Sequence, residues 1–171
     1  MKTWMGSILV ISFALSGVVL PQLTVAAQGN EVSVYSLGTE SDQAFEKARG
    51  KLVQAFIDAY ADGKTEEFLR LFSDKARADD KIGKTGIRSD YEQLFAGSQS
   101  RFIRLQNIKW HNKKGDDSYA IADFEARVKP KDTSDEKVFR GAIELHVKKE
   151  NNAIVISELY HAYDNASVAT Q

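Results

Sequence analysis

The chain has 171 residues, with 23 basic and 24 acidic side chains, no cysteine and two prolines. One domain fits that length, and 43% hydrophobic with 27% charged residues describes an ordinary globular protein. A net charge of -1 excludes a nucleic-acid binder that works through bulk positive charge, and the missing thiol excludes disulfides, thiolate metal sites and a lipid-bearing cysteine.

Residues 1–27 have the layout of a secretory signal peptide. Lys2 precedes an apolar run from Ile8 to Leu20, Pro21 breaks it, and Val25-Ala26-Ala27 presents small residues for cleavage. The run is shorter than the ~20 residues a membrane-spanning helix needs. The expectation is an exported protein, periplasmic or secreted, with no membrane contact once the signal is removed. Residues 28–40 lack a sustained period and read as a flexible arm.

Helical periodicity begins at Ser41. Phe45, Ala48, Leu52, Phe56, Ala59 and Tyr60 recur at spacings of three and four, and Gly63 supplies the stop. A second helix starts at Thr65 as its cap, with Glu66 and Glu67 at the positive end of its dipole. A polar connector follows, with room for a short strand from Ala76 to Asp80. A third helix starts at Thr85 or Ser89 and ends at Gly97, placing Ile87, Tyr91, Leu94 and Phe95 on one face.

After Gly97 the period becomes about two. Four long strands are predicted, over Arg101–Asn112, Ser118–Lys129, Lys137–Lys149 and Ala153–Tyr163, with a two-residue hairpin at Asn151-Asn152. Short links make an antiparallel meander. The fold class is therefore α+β: three N-terminal helices packed on a strongly curved antiparallel sheet of four to six strands. The domain spans 41–164 and the tail 165–171 frays. Long strands coil as their twist accumulates, which leaves a cavity between the sheet and the helices. Phe56, Tyr60, Tyr91, Phe95 and Trp110 are the candidates to line it.

The segment FIDAYADGKTEEFLRLFSDKARADDKIGKTGIRSDYEQLF, Phe56 to Phe95, together with the closing strand IVISELYHAYD, resembles the nuclear transport factor 2-like superfamily. That superfamily includes the SnoaL-like cyclases and ketosteroid isomerase. The resemblance implies a cone-shaped domain. It puts Asp80 where the isomerase has its general base, Phe56 where it has a tyrosine donor, and Glu144 where it has a second, acidic donor. Phe56 has no hydroxyl, so the isomerase set is incomplete.

From the residues themselves, Asp79 and Asp80 face opposite sides of an extended strand. Glu144 and His146 share one side of theirs, and hydrophobic-in alternation assigns that side to the outside, with Ile143, Leu145 and Val147 inside. His161 and Tyr163 share a face and can bind a ligand oxygen or pair across the sheet. No histidine spacing gathers a metal, and no phosphate loop or nucleophile elbow is present; no cofactor is implied. The leading expectation is a non-catalytic module that binds a small apolar ligand or a protein partner, dimeric through the outer sheet face. The second is a cyclase, isomerase or dehydratase with Asp80 as acid/base and His161 or Glu144 assisting. The third is a structural subunit with a filled cone.

Overall fold

The computed structural model describes residues 40–113, 117–164 and 169–170. The signal segment and nearly all of the arm lie outside those residues. Helix α1 covers Glu40–Asp62 and buries Leu52, Val53, Phe56, Ala59 and Tyr60. It ends where Gly63 takes φ +68°, and the amides of Gly63 and Lys64 both donate to the Ala59 carbonyl at 3.1 and 3.3 Å. Only glycine enters that left-handed region without a Cβ penalty.

Helix α2, Thr65–Arg70, starts at its predicted cap, one residue earlier than expected. Lys64 occupies the cap position and no side chain caps the helix, so Thr65 is its first helical residue. The short predicted strand is two: β1, Phe72–Ala78, and β2, Lys81–Ile82. Helix α3 runs from Gly83 to Gly97, beginning ahead of both predicted start points. Glycine at 83, with φ +72°, lets the chain turn from strand into helix immediately.

The four long strands are β3 (Ser98–Asn112), β4 (Ser118–Pro130), β5 (Lys137–Glu150) and β6 (Ala153–Tyr163). Asn151 and Asn152 join the last two at φ +50° and +63°, the pair of positive angles that a two-residue hairpin requires. The sheet order is β2-β1-β6-β5-β4-β3. It is curved and unclosed, and it is mixed rather than antiparallel throughout, because β1 pairs with β6 in parallel. Ala169–Thr170 form β7, paired to Lys137 and Val138 beyond the end of β6.

Along β4, Ala120, Ala122, Phe124, Ala126 and Val128 face inward and are buried. On β5 the inward set is Phe139, Ile143, Leu145 and Val147. Strand β6 changes parity midway: Val147 pairs with Ile156 but His146 pairs with Glu158, so Ser157 is the extra residue of a bulge. Ile156 is inward before the bulge, and Leu159, His161 and Tyr163 are inward after it. Under the helices, Phe68 is fully buried, its ring 5.2 Å from Phe56 and 4.2 Å from Tyr91.

Candidate active site

Ala76 and Ala78 of β1 face the core, so regular alternation would send Asp79 outward. Asp79 instead adopts φ +50°. This left-handed residue ends the strand and folds its carboxylate back over β6. There it accepts two hydrogen bonds from one partner: the His161 backbone N–H to Oδ1 at 2.8 Å and the His161 ring Nδ1 to Oδ2 at 2.8 Å. The Asp79 amide donates to the Leu159 carbonyl at 2.8 Å, completing the junction. A non-glycine residue at positive φ carries local strain, and aspartate tolerates it better than most.

The His161 side chain is 11% exposed. Phe124 meets its ring edge-on at 5.5 Å and Tyr163 stacks on it at 5.8 Å. A carboxylate only accepts, so Nδ1 must carry the proton, and Nε2 of the neutral ring presents a lone pair. Among the described residues Nε2 has no hydrogen-bond partner.

This dyad stands on the wall of a cavity of about 240 Å³, which Phe56, Ile87, Leu94, Ile103, Phe124 and Phe139 also line. Two helix-borne tyrosines also stand on the wall, as do Lys81, Asp90 and Tyr163. Tyr60, in the last turn of α1, and Tyr91, on α3, lie edge to face with ring centroids 6.5 Å apart. Neither hydroxyl has a hydrogen-bond partner among the described residues. Burial pushes the Tyr60 hydroxyl up to about 12, with repulsion from Tyr163 adding and the Arg101 charge opposing. Burial raises Tyr91 further, helped by repulsion from Tyr60 and Asp79. At neutral pH both are therefore protonated donors. The set comprises one oriented base and two donors around a space lined mostly by apolar side chains, with Lys81 and Asp90 also on its wall.

No family model matches the chain, and no curated protein matches it. Solved structures do. A candidate scytalone dehydratase of Novosphingobium aromaticivorans superposes with a TM-score of 0.70 at 10% identity, over 78% of this chain and 94% of that one. The hexachlorocyclohexane dehydrochlorinase LinA-type3 of Novosphingobium barchaimii gives 0.65 at 10%, over 76% and 92%. A nuclear transport factor 2-like superfamily protein of Salmonella enterica serovar Typhimurium gives 0.66 at 12%, over 74% and 95%. The fold is the nuclear transport factor 2-like cone. Identities this low carry the architecture and nothing about chemistry.

In this cone, Asp80 is not a wall residue. Its carboxylate is 79% exposed and pairs with Lys81 at 3.0 Å. Alternation left open which of the two aspartates turns inward; the turn at Asp79 puts Asp79 on the cavity wall, not the Asp80 that the isomerase alignment implied. Glu144 is on the outer face, bonded to His146 Nε2, with His146 stacked on Tyr119. Phe56, Tyr60 and Tyr91 line the cavity. Phe95 does not; it is buried behind the tyrosines, its ring 5.8 Å from Tyr60 and 5.7 Å from Tyr91. Trp110 is also off the cavity, half-buried beneath the Arg49 guanidinium, 4.6 Å above its ring. The residue sequence reasoning missed is Asp79. The one available signal was its place at the tip of a tight turn, where aspartate accepts positive φ.

The Asp79 carboxyl is held below the usual carboxylate range. Its partial burial acts in the opposite direction, but the side-chain and backbone hydrogen bonds from His161 outweigh it. The unfolded chain therefore takes up this proton first as pH falls. The stabilisation is complete above an unfolded value near 3.8 and is lost as pH drops through the lower, folded value. Urea unfolding from pH 6 to pH 3 should show wild type losing its advantage over Asp79→Asn across that window. An advantage independent of pH would mean that Asp79 and His161 do not form this pair in solution.

Proposed function

We propose that the chain is an acid–base enzyme that moves a proton at carbon in a small, largely apolar substrate whose electrons can be drawn onto an oxygen. The observation that carries this reading is the two-point grip of Asp79 on His161, which fixes one tautomer of a ring on the cavity wall and leaves its Nε2 without a partner among the described residues. In the step, Nε2 takes a proton from carbon and the C–H electron pair moves toward the substrate oxygen. Tyr60 and Tyr91 donate to the charge that develops there. Asp79 stabilises the imidazolium that results. The proton then returns at another carbon, giving isomerisation, or a neighbouring leaving group departs, giving elimination. The dehydratase and dehydrochlorinase of the same fold perform, by their names, eliminations, which agrees with the second course.

The size of the cavity limits the substrate. An engineered cavity of roughly 150 Å³ holds benzene, so about 240 Å³ suits one ring with a few substituents or a compact pair of rings. A module that only stored an apolar ligand would need the walls but not an oriented base, which is why the enzyme reading is preferred over the binding module.

The test uses 5-nitrobenzisoxazole, a compact aromatic whose five-membered ring opens when a base removes the proton on C3: the C–H electron pair forms the nitrile, and the N–O bond breaks to release a phenolate oxygen. A positioned general base contributes about 10² to 10⁴-fold. The expected second-order rate constant therefore exceeds that of free imidazole by about 10²-fold or more, and the rate saturates with probe. A constant no larger than that of imidazole would overturn the proposal.

A further inference from the structure

We propose that Arg101 is a positioning residue for the donor pair: one guanidinium ties the ends of α1 and α3 together and so sets the spacing of Tyr60 and Tyr91. This rests on the reading of those tyrosines as oxygen-binding donors. Arg101 is itself not on the cavity wall. It stands near the start of β3, beside a register shift between Ser98 and Ser100. Its Nε donates to the Tyr60 carbonyl and its Nη2 to the Ala61 carbonyl, each at 3.3 Å. Its Nη1 is within reach of the Phe95 carbonyl at 3.3 Å, the Ser98 carbonyl at 3.2 Å and the Ser98 hydroxyl at 2.7 Å.

The Tyr60 and Ala61 carbonyls belong to the last turn of α1 and the Phe95 carbonyl to the last turn of α3, where the helical ladder runs out of N–H groups. Both ends are negative poles of helix dipoles, so a single cation between them satisfies two helices at once. The connection to the donors is short. Tyr60 is itself one of the gripped residues, Tyr91 lies one turn before Phe95, and the guanidinium carbon sits 5.4 Å over the Phe95 ring, which contacts both tyrosines. Gly63 leaves the room required: a Cβ there would come within 2.4 Å of Nη2. A lysine retains the charge but has one nitrogen, and cannot span both helix ends as a planar fork does.

The experiment measures binding of two one-ring probes to the full chain at pH 8.5: 4-nitrophenolate, which presents an oxyanion, and nitrobenzene, which does not. The expected result is that Arg101→Lys weakens nitrophenolate at least tenfold and leaves nitrobenzene within twofold. Arg101→Gln should do the same, and if it does not fold, Arg101→Lys alone supplies the test. Nitrophenolate binding requires no proton transfer, so a chain that proves unable to abstract protons still reports on the donors. Parallel weakening of both probes in Arg101→Lys would mean the residue only supports the cavity, and it overturns the proposal. Unchanged nitrophenolate binding overturns it too. So does a wild type that fails to prefer nitrophenolate over nitrobenzene, since no donor pair is then presented.

Discussion

Replacing His161 with Gln lowers the rate of nitrobenzisoxazole opening by about 10² to 10⁴-fold, the range a positioned general base supplies. Glutamine keeps a polar group of similar reach but has no basic lone pair at the position of Nε2. Asp79→Asn is expected to fall nearly as far, for a different reason. The asparagine oxygen can still accept the His161 backbone N–H, but its amide group then turns a donor toward Nδ1. The ring must answer with a lone pair there, which moves its proton to Nε2, and the base is lost by change of tautomer. Asp80→Asn, one residue away and directed into solvent, should leave the rate within twofold. A full rate in Asp79→Asn together with a loss in Asp80→Asn would restore the assignment that the isomerase alignment implied.

The largest expected effect on stability is at Gly141. A Cβ built there lies 2.0 Å from the Ala162 carbonyl oxygen, 2.9 Å from that carbonyl carbon and 3.0 Å from the Tyr163 Cα. All three are backbone atoms, so no side chain can rotate away, and β5 and β6 must separate where they pair. Backbone strain and overpacking together place the cost of Gly141→Ala at about 3–4 kcal/mol. Urea titration measures it directly. The variant should also lose activity in its folded fraction, because the next inward pair on these strands is Ile143 with His161. Gly50→Ala is the matched control. A Cβ at 50 meets nothing within 4 Å, the site lies inside α1, and about 0.5–1 kcal/mol of added stability is expected.

The elements were legible where one local rule decides the outcome. The 3.6 period from Ser41 to Gly63, the period of two after Gly97 and the tandem asparagines at 151 and 152 each determine their own stretch of backbone. The candidate site depends on two reversals that no period announces. One is the positive φ at Asp79, which exchanges the facing of Asp79 and Asp80. The other is the bulge at Ser157, which turns the odd-numbered end of β6 inward and so puts His161 on the cavity wall. The parallel pairing of β1 with β6 joins residues some eighty positions apart and has no short-range signature. Phe95 and Trp110 illustrate a further limit: apolar periodicity tells that an aromatic ring is covered, not whether a cavity or other side chains cover it.

The alternation in β5 did assign faces. Ile143, Leu145 and Val147 are buried, and Glu144 and His146 are on the outside. There the pairing with β4 has no register shift, and hydrophobic-in alternation holds from Ile143 to Val147.

The central claim is that Asp79 holds His161 as the Nδ1–H tautomer with a free Nε2 in the cavity. Long-range proton–nitrogen correlation spectra of the labelled chain at neutral pH observe this directly. The predicted result is a protonated Nδ1 and an unprotonated Nε2 for His161, with the pattern reversed in Asp79→Asn. A wild-type ring carrying its proton on Nε2, or averaging between the two nitrogens, would contradict the account.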